Sequence, residues 1–115
     1  MKTYCYTLDL KDEPELIAEY ERYHQQVWPE ILQSITESGI QQMKIYRWSN
    51  RLCMIVHAAD DYDPAAKAEK DAADPKVQEW EAMMDTFQKR LPFASEGQKW
   101  VPMDQIFRLG KALNS

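Results

Sequence analysis

The chain has 115 residues and a formal net charge of −5 at pH 7, with 14 Lys and Arg against 19 Asp and Glu. This length predicts a single domain over residues 1–115, because it is sufficient for one hydrophobic core but not for two. An acidic chain without a basic stripe argues against a nucleic-acid partner and against attraction to an anionic membrane. No run approaches the roughly 18 apolar residues of a membrane span.

The cysteine content predicts a reducing compartment. Cys5 and Cys53 are the only cysteines, and each lies in a strand-like run. No secretory signal is recognisable, since residues 1–3 lead directly into a short apolar segment. We therefore expect a cytoplasmic protein with two free thiols.

The first strand and first helix follow from two different periodicities. Residues 3–10 alternate between apolar and polar side chains, which predicts a strand. Asp12 is the predicted N-cap of a helix with Pro14 near its beginning. The inward stripe of this helix consists of Leu16, Tyr20, Tyr23, His24 and Val27.

Pro29 predicts a break around residues 27–28, because a proline disturbs a helix that is already under way. A second short helix should follow and end at Gly39. Its predicted inward residues are Ile31, Leu32 and Ile35.

Two strands, residues 40–48 and 52–59, are predicted as a hairpin joined by residues 49–51. The second of them is apolar on both faces, which is typical of a strand that is covered on two sides.

The remaining residues predict one long helix and a last strand. Residues 60–73 are expected to form a loop with a possible short helix. Asp74 and Pro75 begin a helix that Pro92 terminates. Its stripe consists of Val77, Trp80, Met84, Phe87 and Leu91. Residues 99–109 predict the final strand, with a proline that places its start near an edge.

This order predicts an α+β protein of the ferredoxin-like βαββαβ type, an antiparallel sheet with helices on one face. Because the other sheet face also needs cover, we expect a homodimer that packs sheet against sheet as a dimeric α/β barrel.

Tyr20 and His24 are the most suggestive polar pair. Four residues apart on a helix, they share one face and point toward the sheet. An imidazole can donate or accept a proton near neutral pH, and a phenol beside it can orient a substrate oxygen. Two hydrogen-bonded core residues would give the same spacing, so the pattern leaves both interpretations open.

Trp80 and Glu81 form a second candidate pair on the last helix. An indole face suits the apolar side of a sugar ring, and a carboxylate accepts hydrogen bonds from hydroxyls. The competing interpretation makes Trp80 a core residue and Glu81 a solvated flank. Neither the two histidines nor the three glycines occur in a pattern typical of a metal, phosphate or dinucleotide site, so we expect no metal and no cofactor.

Taken together, these residues resemble the L-rhamnose mutarotase family over nearly the whole chain. The most specific part is residues 19–24 (EYERYH) followed by residues 27–30 (VWPE). The resemblance implies a dimeric ferredoxin-like enzyme that interconverts sugar anomers without a cofactor. It also implies that His24 is the proton donor and that Tyr20 binds the substrate beside it.

Two positions of the family's sugar site differ in this chain. Members known for rhamnose have a tyrosine at the position of Met43 and two tryptophans at the positions of Trp80 and Glu81. The resemblance therefore implies that Met43, Trp80 and Glu81 bind substrate, but with altered hydrogen-bonding groups. Since unpaired polar groups discriminate strongly between sugars, L-fucose is an alternative to L-rhamnose.

Other functions share the fold. A cofactor-free monooxygenase-like enzyme or a non-catalytic ligand-binding module would use the same dimeric ferredoxin-like architecture. The mixture of Tyr, His and Trp with a nearby Glu favours a polyol over a flat aromatic substrate.

Overall fold

The computed structural model describes residues 1–110 of the chain. Its elements are β1 (Lys2–Leu10), α1 (Pro14–Gln25), α2 (Pro29–Glu37), β2 (Ile40–Trp48), β3 (Arg51–Ala58), α3 (Pro64–Ala73), α4 (Pro75–Asp85), β4 (Gln88–Lys89) and β5 (Val101–Pro102). The strands form one antiparallel sheet in the order β2-β3-β1-β4, and β5 also pairs with β1. The predicted α+β class is confirmed, and each helical connection of the predicted βαββαβ order consists of two helices.

The last strand of the sheet is divided into two short pieces. β4 pairs with the end of β1 and β5 with its middle, while residues 90–100 leave the sheet between them. The prediction of a strand over residues 99–109 is therefore wrong in extent. Pro102 has no N–H to donate, and the pairing ends after the N–H of Met103 donates to the main-chain oxygen of Cys5 at 2.8 Å.

The start of α1 differs from the prediction by one residue. Asp12 is not its N-cap, because the helix begins at Pro14 and Glu13 occupies the capping position with an extended main chain. Proline at the first helical position fixes φ for the helix, and the N–H that it lacks would have had no partner within the helix. α1 ends at Gln25 and α2 begins at Pro29, so the predicted break is confirmed.

Within α2, Ile31 and Ile35 pack against the core as predicted, whereas Leu32 is 51% exposed and its predicted inward position is wrong. One residue along a helix turns the side chain by about 100°, so Leu32 leaves the stripe of its neighbours. Gly39 follows the helix with a φ of 103°, a conformation that side chains disfavour.

Two aspartates begin the second pair of helices. Asp63 accepts a hydrogen bond from the N–H of Ala65 at 3.0 Å, and Asp74 accepts one from Lys76 at 2.9 Å. The start predicted at residues 74–75 is confirmed. The possible short helix within residues 60–73 is confirmed as α3, which takes up ten of those residues and leaves less loop than predicted.

α4 ends at Asp85, short of the predicted Leu91. The chain turns there because Phe87 is buried and its carbonyl oxygen accepts the N–H of Lys11 at 2.9 Å, which brings residues 88–89 into the sheet.

The core on the helix-facing side of the sheet is divided into two clusters. The first consists of Leu10, Tyr20, Ile31, Leu52, Val77, Trp80, Met84 and Phe87. The second consists of Ile40, Val56, Ala58 and Tyr62. A cavity lies between them and takes wall residues from both.

The opposite face of the sheet, called the open face below, carries both apolar and polar side chains. The strand register places Tyr46 opposite Cys53, and Trp48 opposite Arg51, on this face. Because β2 and the divided last strand are its edges, the sheet of one chain is open and does not close into a barrel. Within residues 1–110, no helix has the length and apolar character needed to cross a bilayer.

Candidate active site

A cavity of about 250 Å³ lies between the helices and the sheet, where the core divides. Its walls contain all five residues singled out by the sequence: Tyr20, His24, Met43, Trp80 and Glu81. They come from α1, β2 and α4, so folding brings together residues that are distant in the chain. A wider groove of about 470 Å³ between α2 and β2 shares three of them and leads to the surface.

His24 is half-buried, and its imidazole has one engaged nitrogen. Nδ1 lies 2.8 Å from the main-chain oxygen of Tyr20, one helical turn earlier. A carbonyl oxygen only accepts hydrogen bonds, so Nδ1 carries a proton whether the ring is neutral or charged. Nε2 has no hydrogen-bond partner within residues 1–110. Proton exchange with a ligand is thereby confined to Nε2.

Tyr20 lies beside this imidazole as a protonated phenol. Its side chain is 3% exposed, and its ring centroid is 4.3 Å from that of His24. Burial, with a smaller contribution from the negative charge of Glu81, raises the pKa of Tyr20 to about 12, although Gln88 lowers it in part. At neutral pH the hydroxyl can therefore donate a hydrogen bond to an oxygen in the cavity.

Gln88, next to Tyr20, was missed because the sequence placed it inside the last helix. It is 8% exposed, and its Oε1 atom is buried without a partner among the described residues. An unsatisfied buried acceptor costs about 1–3 kcal/mol. The Gln88 amide thus lies beside the Tyr20 phenol with one buried acceptor atom unsatisfied.

The sequence left open whether Trp80 is a core residue or a residue of the binding site. It is a buried core residue and also part of the cavity wall. Its ring meets the His24 imidazole edge-on at 5.8 Å and the Trp28 ring at 5.1 Å. A role as a platform for a sugar ring stays a prediction.

Glu81 lines the cavity with its carboxylate engaged by a lysine. Lys99 Nζ lies 2.6 Å from Glu81 Oε1, and only 14% of the Lys99 side chain is exposed. The neighbouring Trp100 also lines the cavity. Sequence reasoning missed Lys99, because its position depends on the excursion of residues 90–100 from the sheet.

A further polar group in the cavity wall comes from α2 and α3. It consists of Ser34, Lys67 and Asp71, and next to it the wall includes Tyr6 of β1 and Tyr62, which precedes α3. The only sequence signal for this group was the four-residue spacing of Lys67 and Asp71. We drew no inference from that spacing, because the segment was predicted to be a loop with a possible short helix.

Comparison of sequences identifies relatives over almost the full length. A sequence model for the family described as L-rhamnose mutarotase matches residues 3–109. The chain is 47% identical over 116 residues to the L-fucose mutarotase of Xanthomonas campestris pv. campestris, covering 99% of this chain and 93% of that protein. It is 37% identical over 112 residues to a protein of Dictyostelium discoideum, with coverage of 94% and 90%.

Comparison of structures shows a shared fold. The L-rhamnose mutarotase of Formosa agariphila superposes with a TM-score of 0.71 at 18% identity, covering 96% of this chain and all (100%) of that one. Tetracenomycin F2 cyclase from Streptomyces glaucescens, a type-II polyketide cyclase, superposes with a TM-score of 0.62 at 14% identity, with coverage of 96% and 99%. Because these two structures carry different chemistries, the architecture alone does not determine the activity.

Proposed function

We propose that this chain, which belongs to the L-rhamnose mutarotase family, interconverts the α and β anomers of a neutral 6-deoxy-L-hexose. One observation carries the proposal. The imidazole of His24 lines a cavity between aromatic and polar walls, with Nδ1 engaged and Nε2 available for proton exchange. Such a group is what the opening and closing of a sugar ring requires.

In the proposed reaction, Nε2 of the His24 imidazolium protonates the ring oxygen, and the bond from that oxygen to C1 breaks. The neutral Nε2 then takes the proton of the anomeric hydroxyl, which leaves an open-chain aldehyde and restores the imidazolium. The aldehyde turns about the C1–C2 bond and closes by the reverse steps. Tyr20 holds the reacting oxygen through its protonated hydroxyl.

Acid–base catalysis by one positioned residue is sufficient for this reaction. It contributes about 10²–10⁴-fold to a rate, and sugar anomers already exchange in water. The proposal therefore includes no metal, redox cofactor or covalent intermediate.

Two sugars are candidates. The family description favours L-rhamnose, and the relative that is 47% identical is an L-fucose mutarotase. Met43 and Glu81, the two departures from the rhamnose pattern, both lie in the cavity wall, which supports L-fucose as the alternative. The carboxylates of Glu81 and Asp71 in that wall favour a polyol over the flat aromatic substrates of other proteins with this fold.

The proposal includes a homodimer formed through the open face. Large apolar side chains are exposed on that face at Tyr46 and Trp48 and in the segment that follows β5, at Ile106 and Phe107. A second copy would cover them in a two-fold contact, in which the same surface serves both partners. A cytoplasmic location is also proposed, because Cys5 and Cys53 are free thiols.

The deciding experiment measures anomer exchange by saturation-transfer NMR on L-rhamnose and L-fucose side by side. We expect the wild-type protein to accelerate exchange of at least one sugar and His24→Ala to lose most of that acceleration while it remains folded. Arg22→Ala is the matched control, since Arg22 is exposed on the same helix and lies outside the cavity.

Three outcomes would contradict parts of the proposal. A wild-type protein that leaves both sugars at the solvent rate would reject the enzyme. Sugar binding without acceleration would indicate the non-catalytic module. Normal exchange in His24→Ala would reject the role of this histidine alone.

A further inference from the structure

The geometry points to a second polar site in the same cavity, where Lys67, Asp71 and Ser34 bind sugar hydroxyls remote from the carbon that reacts. The inference rests on the proposed function and names the residues that would set its preference among neutral 6-deoxyhexoses. None of the three belonged to the site predicted from the sequence.

The first observation is the unusual inward face of α3. Of the ten residues of this helix, only Lys67 and Asp71 are partly buried, and the others, including its five alanines, are exposed. A surface helix normally buries an apolar stripe and exposes its charges. In α3 the alanines are exposed, and two of the four charged residues, Lys67 and Asp71, are turned inward. Directing charge toward the protein interior is unfavourable, and a polar ligand in the cavity provides a reason for it.

The second observation is that hydrogen bonds fix these side chains in place but leave some of their donor and acceptor positions unused. Lys67 Nζ lies 2.5 Å from Asp71 Oδ2, and Ser34 Oγ donates to Asp71 Oδ1 at 3.0 Å. The side chains of Lys67 and Asp71 are 18% and 25% exposed. A carboxylate has about four acceptor positions and an ammonium group three donors. The set can therefore both donate to and accept from the hydroxyls of a vicinal diol.

The third observation is the relation of this set to His24. All three residues line the cavity that His24 and Tyr20 line. Tyr62, also in that wall, belongs to the second core cluster, whereas Tyr20 belongs to the first. A sugar with C1 at His24 would extend across the division of the core toward α3. Its hydroxyls at C3 and C4 would then meet Asp71 and Lys67.

The charge of the set indicates the class of sugar. Lys67 and Asp71 neutralise one another, so the site offers no net attraction to a phosphorylated or acidic sugar. L-rhamnose and L-fucose differ in configuration at C2 and C4. A site that contacts the C4 hydroxyl would discriminate between them, because a misplaced hydroxyl leaves buried polar groups unpaired.

A purely structural role is the competing explanation. An ion pair four residues apart on a helix, with a serine from α2, would also fix α3 to its neighbour, although partly exposed pairs contribute little to stability. A structural role would affect only the stability of the fold, whereas a binding role would also affect the KM for the sugar.

The test compares Asp71→Asn and Lys67→Met with two controls on the exposed side of the same helix, Glu69→Gln and Lys70→Met. Anomer exchange is measured against the concentration of each sugar, and thermal unfolding monitors the fold. We expect the KM for the preferred sugar to rise about 10- to 100-fold in both site variants, with a smaller change in kcat. The preference between L-rhamnose and L-fucose should change, and the controls should behave as wild type.

An unchanged KM for both sugars in the folded site variants would overturn the inference, even if their melting temperature falls. Should Asp71→Asn fail to fold, Lys67→Met and Ser34→Ala decide in the same way. Failure of the proposed function is distinguishable, because the wild-type protein itself would then show no exchange with either sugar, and the inference would be rejected with it.

Discussion

Lys99 Nζ lies 2.6 Å from Glu81 Oε1 and 3.0 Å from Asp85 Oδ1. The lysine belongs to residues 90–100, which leave the sheet between β4 and β5, whereas both carboxylates belong to α4. These contacts fasten the excursion against the helix and hold the Glu81 carboxylate at the cavity wall. The division of the last strand thus has a structural consequence for the candidate site.

Lys99→Met should impair sugar binding more than it impairs the fold. Without the ammonium group, Glu81 loses the partner that orients it, so we expect the KM for the sugar to rise about tenfold. The free energy of unfolding should fall by about 1 kcal/mol or less, because the pair is partly exposed. Exchange kinetics and urea denaturation provide the two measurements. Lys89→Met, an exposed lysine on β4, is the control, and an unchanged KM in Lys99→Met would count against this role.

Alkaline conditions should destabilise the protein between pH 10 and 12. Tyr20 ionises near its ordinary pKa of 10 in the unfolded chain, but burial raises its pKa to about 12 in the fold. Above pH 10 the unfolded state releases the proton first, so stability falls as the pH rises. The loss due to Tyr20 should reach roughly 2 kcal/mol by pH 12.

Denaturant unfolding at pH 9 and pH 12 measures this effect in the wild type and in Tyr20→Phe. The variant should lose less stability over that interval, although Tyr62, whose pKa is also raised to about 12 by burial and neighbouring negative charge, contributes in both proteins. Tyr46→Phe, on the exposed part of β2, is the control. Equal alkaline losses in wild type and Tyr20→Phe would contradict the prediction.

Met43→Tyr should change the preference between sugars. Met43 lines both the cavity and the groove beside it, and the family resemblance implies a tyrosine at this position in rhamnose-acting members. The added hydroxyl should favour the sugar that can pair with it, so we expect kcat/KM for L-rhamnose to rise about tenfold relative to L-fucose. Met43→Leu retains the apolar wall and should leave the ratio near that of the wild type. A ratio that is equal in both variants would show that position 43 does not select the sugar.

Trp48→Asp should weaken the proposed dimer. Trp48 is 83% exposed on the open face, and a central tryptophan in an interface commonly contributes 2 kcal/mol or more, which corresponds to about a 30-fold weaker association. Sedimentation velocity over a range of protein concentrations measures the change. Phe93→Asp is the control, because Phe93 is 97% exposed but lies in the excursion. A wild-type protein that sediments as a single chain at all concentrations would remove the dimer from the proposal.

The elements with local signals could be predicted from the order of residues in the chain. Alternation predicted β1 as residues 3–10 and the hairpin pattern predicted β2 as residues 40–48, and the structure has strands over Lys2–Leu10 and Ile40–Trp48. Helical spacing placed Tyr20 and His24 on one face, and their rings are in contact. These predictions succeed because side-chain direction repeats with a fixed period along a strand or helix, whatever the rest of the chain does.

Three features could not be predicted before the fold was known: the division of the last strand, the place of Lys99 beside Glu81, and the inward charges of α3. Each of these features depends on the distances between helices and strands. Packing sets those distances, and the periodicity of a sequence does not encode them. The alanine-rich α3 has no apolar stripe for a pattern to detect, since its inward positions are Lys67 and Asp71. A functional role for these two charged residues could be inferred only from the fold, which places them in the wall of the cavity that His24 lines.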